Sequence, residues 1–269
     1  MKISVITVCF NAGPSLEKTI TSVISQDYHD VEYIIIDGGS TDGTLEIIRK
    51  NEKKIAFCIS EPDGGIYNAM NKGIKKATGE WLIFMNGGDC FINEHVITKI
   101  SPVLQDSELQ VVYGNIIKCY KNHKERVYPL RMKNPDIVDF VLCGIDHQAA
   151  FIRKKLFDKY GLYDEQYKLA ADSIFFMRTL GVYREKCRYT NLDVAYFMSG
   201  GSSFTHASTY QSEKNAAFEK ELSPFTEYIF ELAEYRKSTT IRYMLRFRLY
   251  LKNAGIGRKV KRLLHWRFF

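Results

Sequence analysis

Among its six cysteines the sequence holds no C-x-x-C pair: Cys9, Cys58, Cys90, Cys119, Cys143 and Cys187 are scattered along the chain. That spacing excludes a zinc knuckle, a thiol–disulfide motif and a small disulfide scaffold, and it leaves the thiols as reduced, mostly buried side chains. No uninterrupted apolar run reaches the roughly 20 residues that a membrane-spanning helix requires. The start, MKISVITVCFNAG, moves from a β-branched run directly into turn residues, without the apolar core and small-residue cleavage site of a secretory leader, so the cytoplasm is the expected location. Internal repeats and low-complexity linkers are lacking as well. A chain of 269 residues, 45% of them hydrophobic, therefore reads as one catalytic-sized domain with an appendage.

Acidic side chains are missing from the last stretch. Between Tyr235 and Phe269 there are eleven Lys or Arg and no Asp or Glu, so the net charge of +7 conceals a body, residues 1–234, with 27 basic and 31 acidic side chains. The run TTIRYMLRFRLYLKNAGIGRKVKRLLHWRFF interleaves these cations with Tyr, Leu, Phe and Trp. Such a pattern suits a basic amphipathic segment at the inner face of an anionic membrane, with packing on the enzyme or in a dimer face as the structural alternative. Nucleic acid is the disfavoured partner, because the body is acidic.

In the first half, β-rich runs alternate with helical periodicity: strands at 3–10, 31–37, 55–60 and 81–85, and helices at 15–26, 44–52 and 66–77. This alternation predicts an α/β fold with a mostly parallel sheet covered on both faces, whose ligands gather at the carboxyl ends of the strands. Further on, the pattern predicts a hairpin of 111–117 and 126–130, helices at 136–142 and 169–180, a strand at 193–197 and a Gly-Gly-Ser-Ser loop at 200–203. A long helical region from about Thr209 follows, interrupted at Pro224. The division predicted is a domain at 1–224 and a helical basic tail at 225–269.

Three of these strand ends finish in Asp, Asn or Gly: CFNAG at 9–13, DGGSTDGT at 37–44 and NGGD at 86–89. One such end would be read as a turn; three on neighbouring strands converge on one crevice. With ISVITVCFNAG, YIIIDGGSTDGT and GGIYNAMNKGIKKATGEWLIFMNGGD in order, residues 3–89 resemble the nucleotide-sugar half of the family 2 inverting bacterial glycosyltransferases. The later YDEQYKLAADSIFFMR is similar to the family's catalytic-base segment, and the resemblance extends over about residues 1–205.

That resemblance implies a GT-A fold and transfer of one sugar, with inversion, from a nucleotide-diphosphate sugar to a hydroxyl of a glycan or lipid-linked acceptor in surface polysaccharide synthesis. It further implies that Asp37 accepts a hydrogen bond from the base or ribose, that Thr7, Cys9 and Asn11 line the same pocket, and that Asp63, Gly65 and Asn71 approach the base and diphosphate. Asp42 is read as a helix cap and Glu61 as a turn residue. The family's metal-binding Asp-x-Asp falls where this chain has Asn86-Gly87-Gly88-Asp89. Asp89 would then hold Mg2+ or Mn2+ against the diphosphate, and Asn86 would turn to the ribose. His206 is a further metal-ligand candidate, weighed against a surface loop histidine. His147 is read as a hydrogen-bonded structural histidine, with the acceptor side as its alternative. Asp172 is the implied general base, in Ala-Asp rather than the usual Glu-Asp, with Asp164 and Glu165 as neighbouring alternatives and a helix cap as its structural reading. Two other functions fit a nucleotide-binding α/β sheet: a nucleotidyltransferase, although Asn11–Ser15 carries no basic residue for a triphosphate, and a degenerate sugar-nucleotide-binding module.

Overall fold

Every residue of β1 (Ile3–Cys9) is buried, as are all of β4 (Trp81–Phe84) and the last five residues of β2 (Val31–Asp37). Runs this uniformly apolar suit only a sheet covered on both faces. The computed structural model describes residues 1–120, 122–127, 129, 135–198 and 206–238. It divides into two compact units, Met1–Ser223 and Pro224–Phe269.

In the first unit β1 pairs in parallel with β2 on one side and β4 on the other, and β2 with β3 (Phe57–Ser60). The crossovers are α1 (Gly13–Ile24), α2 (Thr44–Lys50) and α3 (Ile66–Lys76). Strand order reverses at β1, so a crevice opens at the carboxyl ends of β1 and β4. One glycine sets how closely the sheet is covered there. A Cβ on Gly73 would lie 2.5 Å from Cγ2 of Ile6, so the α3 backbone rests directly on β1.

Beyond β4 the sheet becomes mixed. The short β5 (Cys90–Phe91) leads to α4 (Val96–Leu104), then β6 (Val111–Cys119), β7 (Lys124–Val127), α5 (Ile137–Leu142), β8 (Ala150–Arg153) and α6 (Lys154–Tyr160). Next come α7 (Ala171–Phe176), which widens into a π-helical turn over Met177–Val182, β9 (Cys187–Met198) and α8 (Ala207–Leu222). Strand β8 joins β4 to β6 antiparallel, β6 runs parallel to β9, and β7 hairpins back on β6. The resulting nine-stranded sheet has the order β3-β2-β1-β4-β8-β6-β9-β5, with β7 on β6. This is the predicted α/β architecture, and helices follow the last strand as far as Lys237 among the described residues.

Several predicted elements shift. The strand at 193–197 extends back to Cys187, and the hairpin's second strand begins at Lys124. The helix predicted from Leu169 begins at Ala171. Elements α4, β8 and α6 had no sequence prediction. The loop at 200–203 and the tail from Thr239 lie outside the described residues. The second unit contributes α9 (Thr226–Lys237), where Tyr228 and Tyr235 are exposed. Among the described residues no helix is long and apolar enough to cross a membrane.

Candidate active site

The crevice at the ends of β1 and β4 is a cleft of about 1220 Å3. One end is walled by the β1–α1 loop and the lead-in to α3; the other is walled by 143–148, the start of α7 and the start of α8. It therefore joins the two segments that the sequence had marked separately.

At the first end the structure separates lining residues from supporting ones. Cys9, Asn11, Asp63 and Gly65 line the cleft. Asn11 sits at φ 47°, a left-handed conformation that asparagine tolerates, and its Oδ1 accepts from the Thr41 amide at 2.9 Å. The Cys9 thiol, pushed up by burial and by the Asp37 charge, remains protonated. Asp37 itself is 0% exposed. Its oxygens accept from the Gly39 and Ser40 amides and from the hydroxyls of Ser40 (2.5 Å) and Ser60 (2.6 Å). Burial raises its pKa, but those hydrogen bonds outweigh burial and hold the carboxyl below its ordinary value. Asp37 thus ties the loop after β2 to β3 and does not line the cleft.

Thr7 and Asn71 are buried as well and lie behind the residues that line the cleft. Thr7 is fully buried and donates to the Met85 carbonyl at 2.7 Å. Asn71 bonds the backbone N–H and C=O of Tyr163 and the Glu165 carboxylate, pinning α3 to the segment before α7. Asp42 accepts from the amide and hydroxyl of Thr44 in a local turn ahead of α2, whose N-cap is Gly43 without a side-chain cap, so the cap reading is not met in the expected form. The sequence reading overlooked Phe10. It is 64% exposed at the cleft rim, with its ring against Gly38 and the Asp63 carboxylate on the same glycine. A large aromatic side chain exposed beside a carboxylate is the arrangement that stacks and hydrogen-bonds a planar base.

Between the ends lies 86–89. Gly88 takes φ 107°, a left-handed turn that explains the glycine where a second carboxylate was expected. Asp89 is 6% exposed; Gln148 Nε2 donates to its Oδ2 at 3.1 Å and the Met198 amide to its Oδ1 at 3.4 Å. Burial, opposed by His147 and Gln148, raises its pKa to about 6. Asn86 Nδ2 is 3.1 Å from His147 Nε2, while Asn86 Oδ1 is buried with no hydrogen-bond partner among the described residues. Among the described residues no three His, Cys, Asp or Glu side chains form a metal-binding group, and His206, exposed just before α8, does not line the cleft. Asp89 does line it. One hard carboxylate fits Mg2+ or Mn2+ when phosphate oxygens complete the shell, and does not make a closed protein cage.

The second end is organised around Asp172, 7% exposed at the N-terminus of α7. Its Oδ1 accepts from the Ser173 amide and the Tyr67 hydroxyl, both at 2.8 Å, and its Oδ2 from His147 Nδ1 at 2.7 Å. Burial alone would raise this carboxyl, yet the His147 and Tyr67 hydrogen bonds bring it below the ordinary range. His147 shows the converse balance: burial lowers its pKa, and the Asp172 hydrogen bond and charge more than restore it, leaving it raised. Asp164 bonds the Gln166 amide at 3.1 Å and Glu165 is held by Asn68 and Asn71; neither lines the cleft. Asp146 does, and burial raises its pKa against the pull of Lys118.

Helix α8 fixes the approach to α7, a contribution that sequence reasoning missed. The Glu213 carboxylate accepts the amides of Lys168, Leu169 and Ala170, and the Tyr210 hydroxyl is 2.7 Å from Ser173 Oγ.

Residues 4–171 match the profile described as Glycosyl transferase family 2. An uncharacterised glycosyltransferase of Mycobacterium tuberculosis H37Rv is 34% identical over 183 residues, covering 65% of this chain and 68% of that protein. A PGL/p-HBAD biosynthesis glycosyltransferase of Mycobacterium bovis BCG is 31% identical over 209 residues, covering 75% and 79%. Among solved structures, residues 1–349 of S. aureus TarS in complex with UDP-GlcNAc superpose with a TM-score of 0.69 at 18% identity, over 94% of this chain and 78% of that one. The chain spans 44% of the longer TarS crystal structure.

Proposed function

Because this chain belongs to glycosyl transferase family 2, we propose that it moves one sugar from a nucleotide-diphosphate donor to a hydroxyl of a glycan or lipid-linked glycan, with inversion, in bacterial surface polysaccharide biosynthesis. The observation carrying this reading is that one cleft holds both an aromatic–carboxylate rim, Phe10 and Asp63, and the hydrogen-bonded carboxylate Asp172. Family membership sets aside the nucleotidyltransferase alternative.

Phe10 stacks on the base and Asp63 accepts from its N–H or from the ribose, the hydrogen bond that the sequence reading gave to Asp37. Asn86 Oδ1 accepts from a donor hydroxyl, which gives that buried oxygen a partner. Asp89 would hold Mg2+ or Mn2+ together with phosphate oxygens of the donor, and such a cation would supply charge neutralisation for the leaving nucleoside diphosphate. At the opposite end the acceptor oxygen attacks the anomeric carbon as its bond to the diphosphate breaks, and Asp172 takes the hydroxyl proton. Asp172, ionised throughout the neutral range, is a weak base, so proton transfer accompanies bond formation rather than preceding it.

The test is a panel of UDP-, GDP- and dTDP-sugars. A donor at 100 times its dissociation constant stabilises the fold by about 2.7 kcal/mol and so identifies itself in a thermal scan. With a glycan acceptor that donor is expected to release free nucleoside diphosphate and give a product of inverted anomeric configuration. Binding without acceptor-dependent release would make the chain a sugar-nucleotide-binding module instead.

The basic tail is the membrane attachment in this reading, supported by its charge and by the exposed Phe225, Tyr228 and Tyr235 in its first part. Truncation after Ser238 is expected to leave a folded protein that no longer binds anionic vesicles. At roughly 1 kcal/mol per basic residue near such a surface, half of the tail's cations suffice for recruitment. Retained vesicle binding, or unfolding on truncation, would return the tail to a structural role.

A further inference from the structure

His147 joins two parts of the cleft that the proposed chemistry uses separately. Its ring is 87% buried at the side chain and packs edge-on to Phe84 at 6.4 Å between centroids. Nδ1 meets Asp172 and Nε2 meets Asn86. An ionised carboxylate has no proton to donate, so the 2.7 Å contact to Oδ2 requires the ring hydrogen on Nδ1. In the neutral ring Nε2 is a lone pair and Asn86 faces it through Nδ2 at 3.1 Å, whereas an imidazolium, which the raised pKa favours, would donate from Nε2 to Oδ1 instead. With Nδ2 on the ring, the carbonyl oxygen is turned the other way and is buried with no hydrogen-bond partner among the described residues.

We propose that His147 is a positioning residue: donating to Asp172 and accepting from Asn86, it orients the proton-accepting carboxylate and obliges the Asn86 amide to present Oδ1 to a hydroxyl of the sugar-nucleotide donor. The inference rests on the reading of Asp172 as proton acceptor and Asn86 as a donor contact. It adds that the two are set by a single ring. Asn86, standing where a metal-binding carboxylate was expected, is thereby an acceptor-only group of fixed direction, suited to a sugar or ribose O–H and unsuited to an acceptor oxygen. The adjacent Gln148 does for Asp89 what His147 does for Asp172, donating to a cleft carboxylate. The 146–148 segment therefore braces both carboxylates from one side.

The experiment uses full-length protein with the donor found in the panel, and measures kcat, donor dissociation constant and melting temperature for His147→Phe and His147→Gln, alone and combined with Asp172→Asn or Asn86→Ala. Phenylalanine keeps ring volume and removes both contacts. Glutamine offers one N–H and one C=O and so can serve both neighbours. His147→Phe is expected to lower kcat by about 10- to 100-fold and to weaken donor binding to the level of Asn86→Ala, with glutamine restoring most of both. Effects that run through a shared partner are non-additive. In the Asp172→Asn background, His147→Phe should lower kcat no further, and in the Asn86→Ala background it should weaken the donor no further. Additive losses in both backgrounds, or a His147→Phe variant within twofold of wild type, overturn the proposal. So does a fall in melting temperature that glutamine repairs while kcat stays low. If Asp172→Asn itself transfers at the wild-type rate, the proton-acceptor reading fails separately, and the Asn86 cycle still decides the role of His147.

Discussion

Replacing Asp89 with asparagine is expected to abolish sugar transfer while making the protein more stable. The carboxylate is 6% exposed and burial raises its pKa to about 6. The folded state thus holds this proton more tightly than the unfolded chain, whose Asp titrates near 3.9. The sign follows directly: protonation favours the fold as pH falls from 6 towards 4, and above 6 the ionised group costs on the order of 3 kcal/mol, at 1.36 kcal/mol per pH unit of difference. Asparagine retains an oxygen for Gln148 Nε2 and carries no charge, so at pH 7 it should recover up to about 3 kcal/mol of that cost in urea unfolding. A charge kept at the expense of stability marks a functional group. With the carboxylate gone, a cation held by Asp89 and phosphate oxygens loses its protein ligand, and EDTA should likewise inhibit wild type. Activity should fall on acidification through pH 6, because protonated Asp89 is a poor ligand. Full transfer by the asparagine variant, or by wild type in EDTA, would remove the metal role. A loss of stability at pH 7 would show that the Gln148 and Met198 hydrogen bonds outweigh the charge.

The fold was legible in the sequence where local pattern and tertiary environment agree. Strands β1, β2 and β4 are continuous apolar runs bounded by Asn, Asp and Gly, and they lie within a residue or two of where the pattern put them. Element β8 was not legible because AFIR, at 150–153, holds only three apolar residues and Arg153 between a single helical turn and α6, and its strand character comes from pairing with β4 and β6. Helix α4 was missed because Pro102 lies inside it and reads as a break.

At the site, polar strand ends signalled the cleft, but not which of their groups would face it. Asp37 and Asp63 follow neighbouring strands and look equivalent as letters. Hydrogen bonds from Ser40 and Ser60 draw the first inward, and only the second lines the cleft. Phe10 carries no signal beyond its place after a strand, since an exposed aromatic is recognised only once its surroundings are known. His147 lies 61 residues from Asn86 and 25 from Asp172, and Gln148 lies 59 from Asp89; no sequence periodicity links such distances. Tyr67 reaches Asp172 across 105 residues for the same reason. The sequence marks the groups that do chemistry; the groups that hold them come from topology.

Substituting Asp172 by asparagine is expected to lower kcat by roughly 10²-fold or more with the fold intact. The variant keeps the oxygen that accepts from the Tyr67 hydroxyl and the Ser173 amide, two of the three hydrogen bonds to the wild-type carboxylate. It loses the oxygen that accepts from His147 and places an N–H there instead. His147 must then carry its hydrogen on Nε2 and donate to Asn86, whose amide turns over. Donor affinity should therefore drop modestly, by up to about tenfold, one hydrogen bond's share. Asparagine caps a helix about as well as aspartate, so a helix-cap role alone would leave both turnover and melting temperature of this variant unchanged, and about 1 kcal/mol would be lost only with alanine. The two readings differ in kcat, which falls only for a proton acceptor. Because the hydrogen bonds to Asp172 hold it below the ordinary carboxylate range, its deprotonated form persists as pH falls through 6. The acid limb of wild-type activity should then follow Asp89 rather than Asp172. If the asparagine variant transfers sugar at close to the wild-type rate, Asp172 is not the proton acceptor. Glu165 and Asp164 do not line the cleft, so Asp146, which does, becomes the residue to substitute next.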